Sequence, residues 1–120
     1  MSQIPVQERL NEVVAALESS GVWRPRRIVL FGSRARGEAQ PDSDLDLMIE
    51  VPVPRLDGTQ RRQALSSYRQ ALRPLRLGVG IDLIVVGEDD CRQWAQSRWH
   101  VVGQALREGL PLSLSTVARP

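Results

Sequence analysis

The sequence predicts an α/β (α+β) fold, a small β-sheet with helices packed on it, and three observations lead there. Short apolar runs bounded by glycine or proline recur at Arg27–Phe31, Leu45–Val51 and Gly80–Val86, each the length of a strand. Around them lie stretches whose apolar residues keep helical spacing, without internal repeats or low-complexity tracts. The length, 120 residues, suits one domain spanning 1–120 better than two.

Taken in order, the first element is an amphipathic helix from Pro5 to Glu18, with Val6, Leu10, Val13, Val14 and Leu17 on one face and Pro5 at a first-turn position. Ser19, Ser20 and Gly21 end it. Arg27 to Phe31 follows as a buried strand closed by Gly32. Gly32 to Ser43 has no strand period, and reads as a tight turn, a short helix from about Ser33, and a loop. Leu45 to Val51 is the second strand, stopped by Pro52 and Pro54, and Arg55 to Gly58 is expected as a surface loop. In the second long helix Ala64, Leu65, Tyr68, Ala71 and Leu72 line one side, Arg61, Arg62, Arg69 and Arg73 the other, and Pro74 forces an end. After the strand Gly80–Val86, the acids Glu88, Asp89 and Asp90 open a last helix carrying Trp94, Ala95, Val101, Val102, Ala105 and Leu106. Gly109 and Pro111 mark its end, and 113–120 is expected as a frayed tail. Strand directions are not readable from this order.

Composition narrows the function classes. The longest apolar runs fall far below the roughly 20 residues that cross a bilayer, and no cationic stretch with an apolar core opens the chain, so no membrane association and a cytoplasmic location are expected. Cys91 is the sole cysteine, which rules out an internal disulfide and a cysteine-built metal site. All 16 basic residues are arginine, so covalent lysyl-nucleotide chemistry is excluded. A formal net charge of +2 is too small to demand a nucleic-acid partner, and no direct nucleic-acid binding is expected.

The chemistry gathers around two carboxylates. Asp44 and Asp46 are spaced i and i+2, which on a strand puts both on one face while Leu45 and Leu47 enter the opposite layer. Like charges so close are most simply kept ionised by a hard divalent cation such as magnesium, which takes oxygen ligands and substrate phosphates. An isolated Ser43-Asp44-Leu45-Asp46 would otherwise be read as turn and capping residues. Gly32-Ser33, directly after a strand, changes that reading, because a Gly-Ser turn opening a helix offers amides and a hydroxyl to a phosphate chain. Asp82 is a lone carboxylate in the apolar strand Gly80–Val86, so it is either exposed at the strand's start or carries a cation. Of the loop arginines, Arg36 is the preferred phosphate contact, and Arg34 is either a contact or a solvated surface residue. Gly37 suits a backbone turn. His100 is expected to pack or face solvent, and Trp23, Trp94 and Trp99 to serve a core or an interface.

Gly32-Ser33-Arg34-Ala35-Arg36-Gly37, ten residues after its Gly-Ser followed by Asp44-Leu45-Asp46, resembles the nucleotidyltransferases of the DNA polymerase beta superfamily. With the short length and the closing Arg107-Glu108-Gly109, the chain is most similar to the minimal nucleotidyltransferases, or MNT proteins. The resemblance implies a polymerase-beta-like fold with a mixed sheet. It also implies ATP as co-substrate, with Gly32, Ser33, Arg36 and Ser43 on the nucleotide side. Two magnesium ions would be held by Asp44, Asp46 and Asp82, with Asp82 nearest the acceptor hydroxyl. For a chain of this size the resemblance points to the antitoxin of a type VII HEPN/MNT toxin–antitoxin pair, which transfers AMP to a tyrosine of a HEPN ribonuclease toxin within a hetero-oligomer. Two alternatives stay open: transfer to a small-molecule hydroxyl such as an aminoglycoside, and a non-catalytic antitoxin that acts by binding alone. No base-reading residue is assignable, so ATP rests on the resemblance.

Overall fold

The structure is a computed structural model that describes residues 4–114. Its sheet holds four strands in the order β3-β2-β1-β4. These are β1 (Arg27–Phe31), β2 (Leu45–Glu50), β3 (Ile81–Val86) and β4 (Leu110–Leu112). β1 runs antiparallel to both β2 and β4, whereas β2 and β3 are parallel, so the sheet is mixed. The helices are α1 (Leu10–Glu18), α2 (Ser33–Arg36), α3 (Gly58–Leu72), α4 (Glu88–Trp94) and α5 (Val101–Glu108). Among the described residues no helix is long and apolar enough to cross a membrane.

Strand alternation sorts the side chains into two layers. Leu45, Leu47 and Ile49 of β2, Ile28 and Leu30 of β1, and Leu83 and Val85 of β3 pack with Val13 and Leu17 of α1 and Ala64, Tyr68 and Leu72 of α3. Tyr68 is fully buried there, and its hydroxyl donates to the carbonyl of Trp23 at 2.6 Å, which satisfies its one polar atom. The opposite face carries a smaller core, Val29, Met48 and Val86 beneath Cys91 of α4 and Val102 and Ala105 of α5. The same alternation puts Asp46 on the α4–α5 side, two positions from Met48 and toward the other end of the sheet.

Four departures from the sequence reading have local causes. The first helix begins as a tighter 3-10 turn, Val6–Arg9, before α1. The segment expected as a surface loop buries Leu56, and Asp57 caps α3 reciprocally with Gln60: Gln60 N donates to Asp57 Oδ1 at 2.7 Å and Asp57 N to Gln60 Oε1 at 3.0 Å. The single last helix is two, because Ser97 and His100 turn their side chains onto backbone amides and interrupt it: Ser97 Oγ accepts from the Trp99 and His100 N–H groups, and His100 Nδ1 accepts from Val102 N. The chain after Gly109 forms β4 rather than ending in a loop. Pro111 obscured that strand in the sequence, yet at a sheet edge its missing N–H costs no ladder bond. Of the expected frayed tail, Leu114 packs against the main core and 115–120 lie outside the described residues.

Candidate active site

β1 delivers the chain into a turn that only glycine enters readily. Gly32 sits at φ 72° and ψ −158°, an extended conformation of inverted hand, and its carbonyl accepts from Ala35 N and Arg36 N to start α2. The turn closes at Gly37, φ 74°, with Glu38 N donating to the Ser33 carbonyl at 2.9 Å. The second reason for glycine at position 32 lies across the sheet. A Cβ there would collide with Oδ2 of Asp46, whose carboxyl therefore rests directly against the turn. The Gly-Ser turn and the strand aspartate thus form one site.

Asp44 has a matching arrangement on the other side. A Cβ on Gly80 would meet Asp44 Oδ1 at 2.5 Å, and Leu45 N donates to the Gly80 carbonyl at 2.8 Å. Gly80 was not among the site residues expected from sequence; its signal was a glycine two positions before a strand carboxylate. Asp82 stands in register with Asp46 on the parallel pair β2–β3, while Phe31 is the partner of Asp46 on β1. Asp82 is exposed near the start of β3, where its carboxyl is open to solvent beside Asp46. Leu45 and Leu47 are fully buried on the opposite face, as the i, i+2 spacing requires.

The electrostatics follow from this crowding. Burial raises the Asp46 carboxyl above its ordinary value of 3.8, the neighbouring Asp82 and Asp44 raise it further, and Arg36 offsets part of the effect. Among the described residues no group of three His, Cys, Asp or Glu side chains closes into a metal cage. The three aspartates instead share one end and one face of the sheet as an open set of hard oxygen donors. That donor chemistry fits magnesium, which binds through a few carboxylates together with substrate phosphates.

The loop residues between the turn and Asp44 make contacts of their own. Arg34 is not a solvated surface residue: it is 7% exposed and donates to the Ser43 carbonyl at 2.7 and 3.2 Å and to the Pro41 carbonyl at 3.3 Å. It thereby fixes the chain just ahead of Asp44. Ser43 turns its hydroxyl inward to accept from Gln40 N at 2.8 Å, so it shapes the same loop. Arg36 is half exposed, paired with Glu38 at 2.8 Å and 4.0 Å from Glu108 of α5, close enough to Asp46 to act on its charge. His100 packs, with its ring stacked on Trp94 at 4.3 Å.

Comparison with known proteins agrees with this geometry. Residues 8–112 match the model of the family described as the nucleotidyltransferase domain. A protein of Methanocaldococcus jannaschii, to which protein adenylyltransferase activity is provisionally assigned, is 42% identical over 43 residues, 36% of this chain and 43% of that protein. The match thus spans less than half of that relative's length. Two solved structures share the fold. A crystal structure of a toxin–antitoxin with AMP-PNP aligns with a TM-score of 0.56 and 21% identity, over 89% of this chain and 74% of that one. A mutant of the toxin–antitoxin MntA-HpeT, with two aspartates changed to glutamate, aligns with a TM-score of 0.53 and 18% identity over the same shares. With the family model covering all four strands and the Gly-Ser turn, this chain belongs to the nucleotidyltransferase domain family.

Proposed function

We propose that the chain is the antitoxin of a toxin–antitoxin pair, a magnesium-dependent enzyme that transfers AMP from ATP to a tyrosine hydroxyl of a HEPN ribonuclease toxin and releases pyrophosphate. The observation that carries the reading is the contact of the Asp46 carboxyl with the Gly32 turn, which puts a phosphate cradle and a carboxylate cluster in one place. The neighbour bound to AMP-PNP and the mutant neighbour, whose altered aspartates are likewise two residues apart, support the nucleotide and the toxin partner.

In this reading the amides and hydroxyl of the Gly32–Ser33 turn hold and orient the triphosphate, with Arg36 facing its charge. Asp44, Asp46 and Asp82 hold the magnesium ions, which when bound neutralise the triphosphate and make the acceptor hydroxyl more acidic. The acceptor oxygen bonds to the α-phosphorus as the bond from that phosphorus to the β-bridging oxygen breaks, and pyrophosphate leaves with the electron pair. Asp82, exposed at the open end of β3, is the carboxylate that takes the acceptor's proton. Arg34 positions Asp44 through the loop at 41–43.

The test is incubation with labelled ATP, magnesium and the product of the neighbouring gene. Asp44→Ala and Asp46→Ala should each lower label transfer by at least about a hundredfold while complex formation persists. Transfer that is absent in the native chain, or unaffected by both substitutions, would leave binding as the antitoxin's mode of action.

A further inference from the structure

The connection between α4 and α5 holds Trp99 out in solvent by contacts that a frayed loop would lack. Ser97 Oγ accepts from Trp99 N at 3.2 Å and from His100 N at 3.1 Å. The His100 ring lies on Trp94, and Arg107 of α5 reaches back to donate to the carbonyls of Ser97 at 2.7 Å and Arg98 at 3.4 Å. Gly103 lets the loop press directly onto α5, since a Cβ there would collide with the Ser97 carbonyl and meet the Trp94 carbonyl at 2.8 Å. At the end of this framework Trp99 is 91% exposed, the most exposed large hydrophobic side chain among the described residues. Leaving the indole in water forgoes the free energy of burying it.

Arginines outnumber acids beside it. Arg98 is exposed, and its side chain has no hydrogen-bond or ion-pair partner among the described residues. With Arg26, Arg27, Arg92 and Arg107 it lines a concavity of about 1050 Å³ whose only acids are Glu50 and Glu88. Arg26 engages both acids, Arg27 also pairs with Glu50 and Arg92 with Asp89, which leaves Arg98 and Arg107 as the lining arginines without a carboxylate partner among the described residues. Arg107 is committed to carbonyls rather than to a carboxylate. A tryptophan beside arginines is the composition that anchors protein interfaces, and a preformed loop lowers the ordering cost of binding. α5 also joins this surface to the candidate active site: it starts just after Trp99 and ends at Glu108, 4.0 Å from Arg36, about 11 Å of helix away.

We propose that Trp99 and Arg98 form the docking surface for the protein acceptor. Trp99 enters an apolar pocket of that partner, and an acidic segment rimming the pocket lies along the arginine-lined concavity. The partner's identity as acceptor rests on the function proposed above. A nucleic-acid strand fits less well, because one indole gives a single stacking platform.

The experiment titrates the purified HEPN toxin of the proposed pair against the native protein, Trp99→Ala, Trp99→Phe and Arg98→Glu, with binding of a non-hydrolysable ATP analogue as the control for folding. Trp99→Ala should weaken the complex by about thirtyfold or more, Trp99→Phe should recover part of that loss, and Arg98→Glu should weaken it about tenfold with a reduced salt dependence. Analogue binding should not change. Native affinity in both Trp99→Ala and Arg98→Glu overturns the proposal, as does the absence of toxin binding. Trp99-dependent binding of single-stranded RNA in place of the toxin, or Trp99-dependent self-association of the chain, overturns it too. Failure of the transfer reading looks different: the complex would still depend on Trp99 while the native chain moves no label.

Discussion

Asp46 is caught between two requirements, because its carboxyl must touch the Gly32 turn and must also sit beside Asp82 and Asp44. Its raised pKa means that the fold disfavours the ionised form. An unfolded chain gives up this proton near 3.8, so the associated stability is present below that pH and is lost as pH rises through the higher folded value, leaving a deficit at neutrality. In EDTA at pH 7, Asp46→Asn is therefore expected to be more stable than the native chain by a few tenths of a kcal/mol to about 1 kcal/mol, given the partial solvent exposure of the site. Urea denaturation at pH 7 and near pH 3.5 checks this. The gap should close at the lower pH, and a native chain at least as stable as Asp46→Asn at pH 7 would contradict it. At this scale the sequence was most legible where spacing alone dictates direction, as for Asp44 and Asp46. It was least legible for Arg34, since nothing local in Ser33-Arg34-Ala35 reveals that a guanidinium will be buried under carbonyls nine residues on.

At the scale of elements, α3 is tied to the chain ahead of β1 by the Tyr68 hydroxyl and the Trp23 carbonyl. Burial pushes the Tyr68 hydroxyl from 10.0 up to about 12. The unfolded chain ionises its tyrosine near 10, so this contribution to stability is complete below pH 10 and declines as pH climbs toward 12. Since Tyr68 is the only tyrosine, the near-ultraviolet absorbance of tyrosinate reports it without overlap from another phenol. The expected titration midpoint is about 12 in the folded protein, and Tyr68→Phe should flatten the fall of stability between pH 10 and 12. A midpoint near 10 in a protein that is still folded would show the hydroxyl to be solvated. Strands β1 to β3 and the long helices were legible because their apolar periods are unbroken. The division between α4 and α5 was not, because it depends on side-chain hydrogen bonds from Ser97 and His100, which compete with the helix without disturbing its hydrophobic pattern.

For the molecule as a whole, β4 is the least legible part and one of the more consequential. It closes the β1 edge of the sheet with three residues, and Leu112 and Leu114 are partly buried against the main core. Ending the chain at Gly109 is expected to cost about 2–4 kcal/mol and to leave β1 as an open edge prone to self-association. A shift of the urea midpoint together with concentration-dependent light scattering would show both effects, and an unchanged midpoint would show β4 to be dispensable. Three short residues with a central proline carry almost no local strand signal, so only the finished sheet reveals them. The mixed sheet itself was available through family resemblance, whereas the pairing of Asp46 with Asp82 emerges only once β2 and β3 are known to be parallel and in register.

That pairing ties assembly to chemistry. A slip of one residue between β2 and β3 would turn Asp82 into the oily layer occupied by Leu83 and Val85, and would bring those leucine and valine side chains out to water. The error would thus be punished by the whole interior and not by the candidate site alone. Misassembled chains should then be unstable chains, open to proteolysis, instead of durable but inert copies.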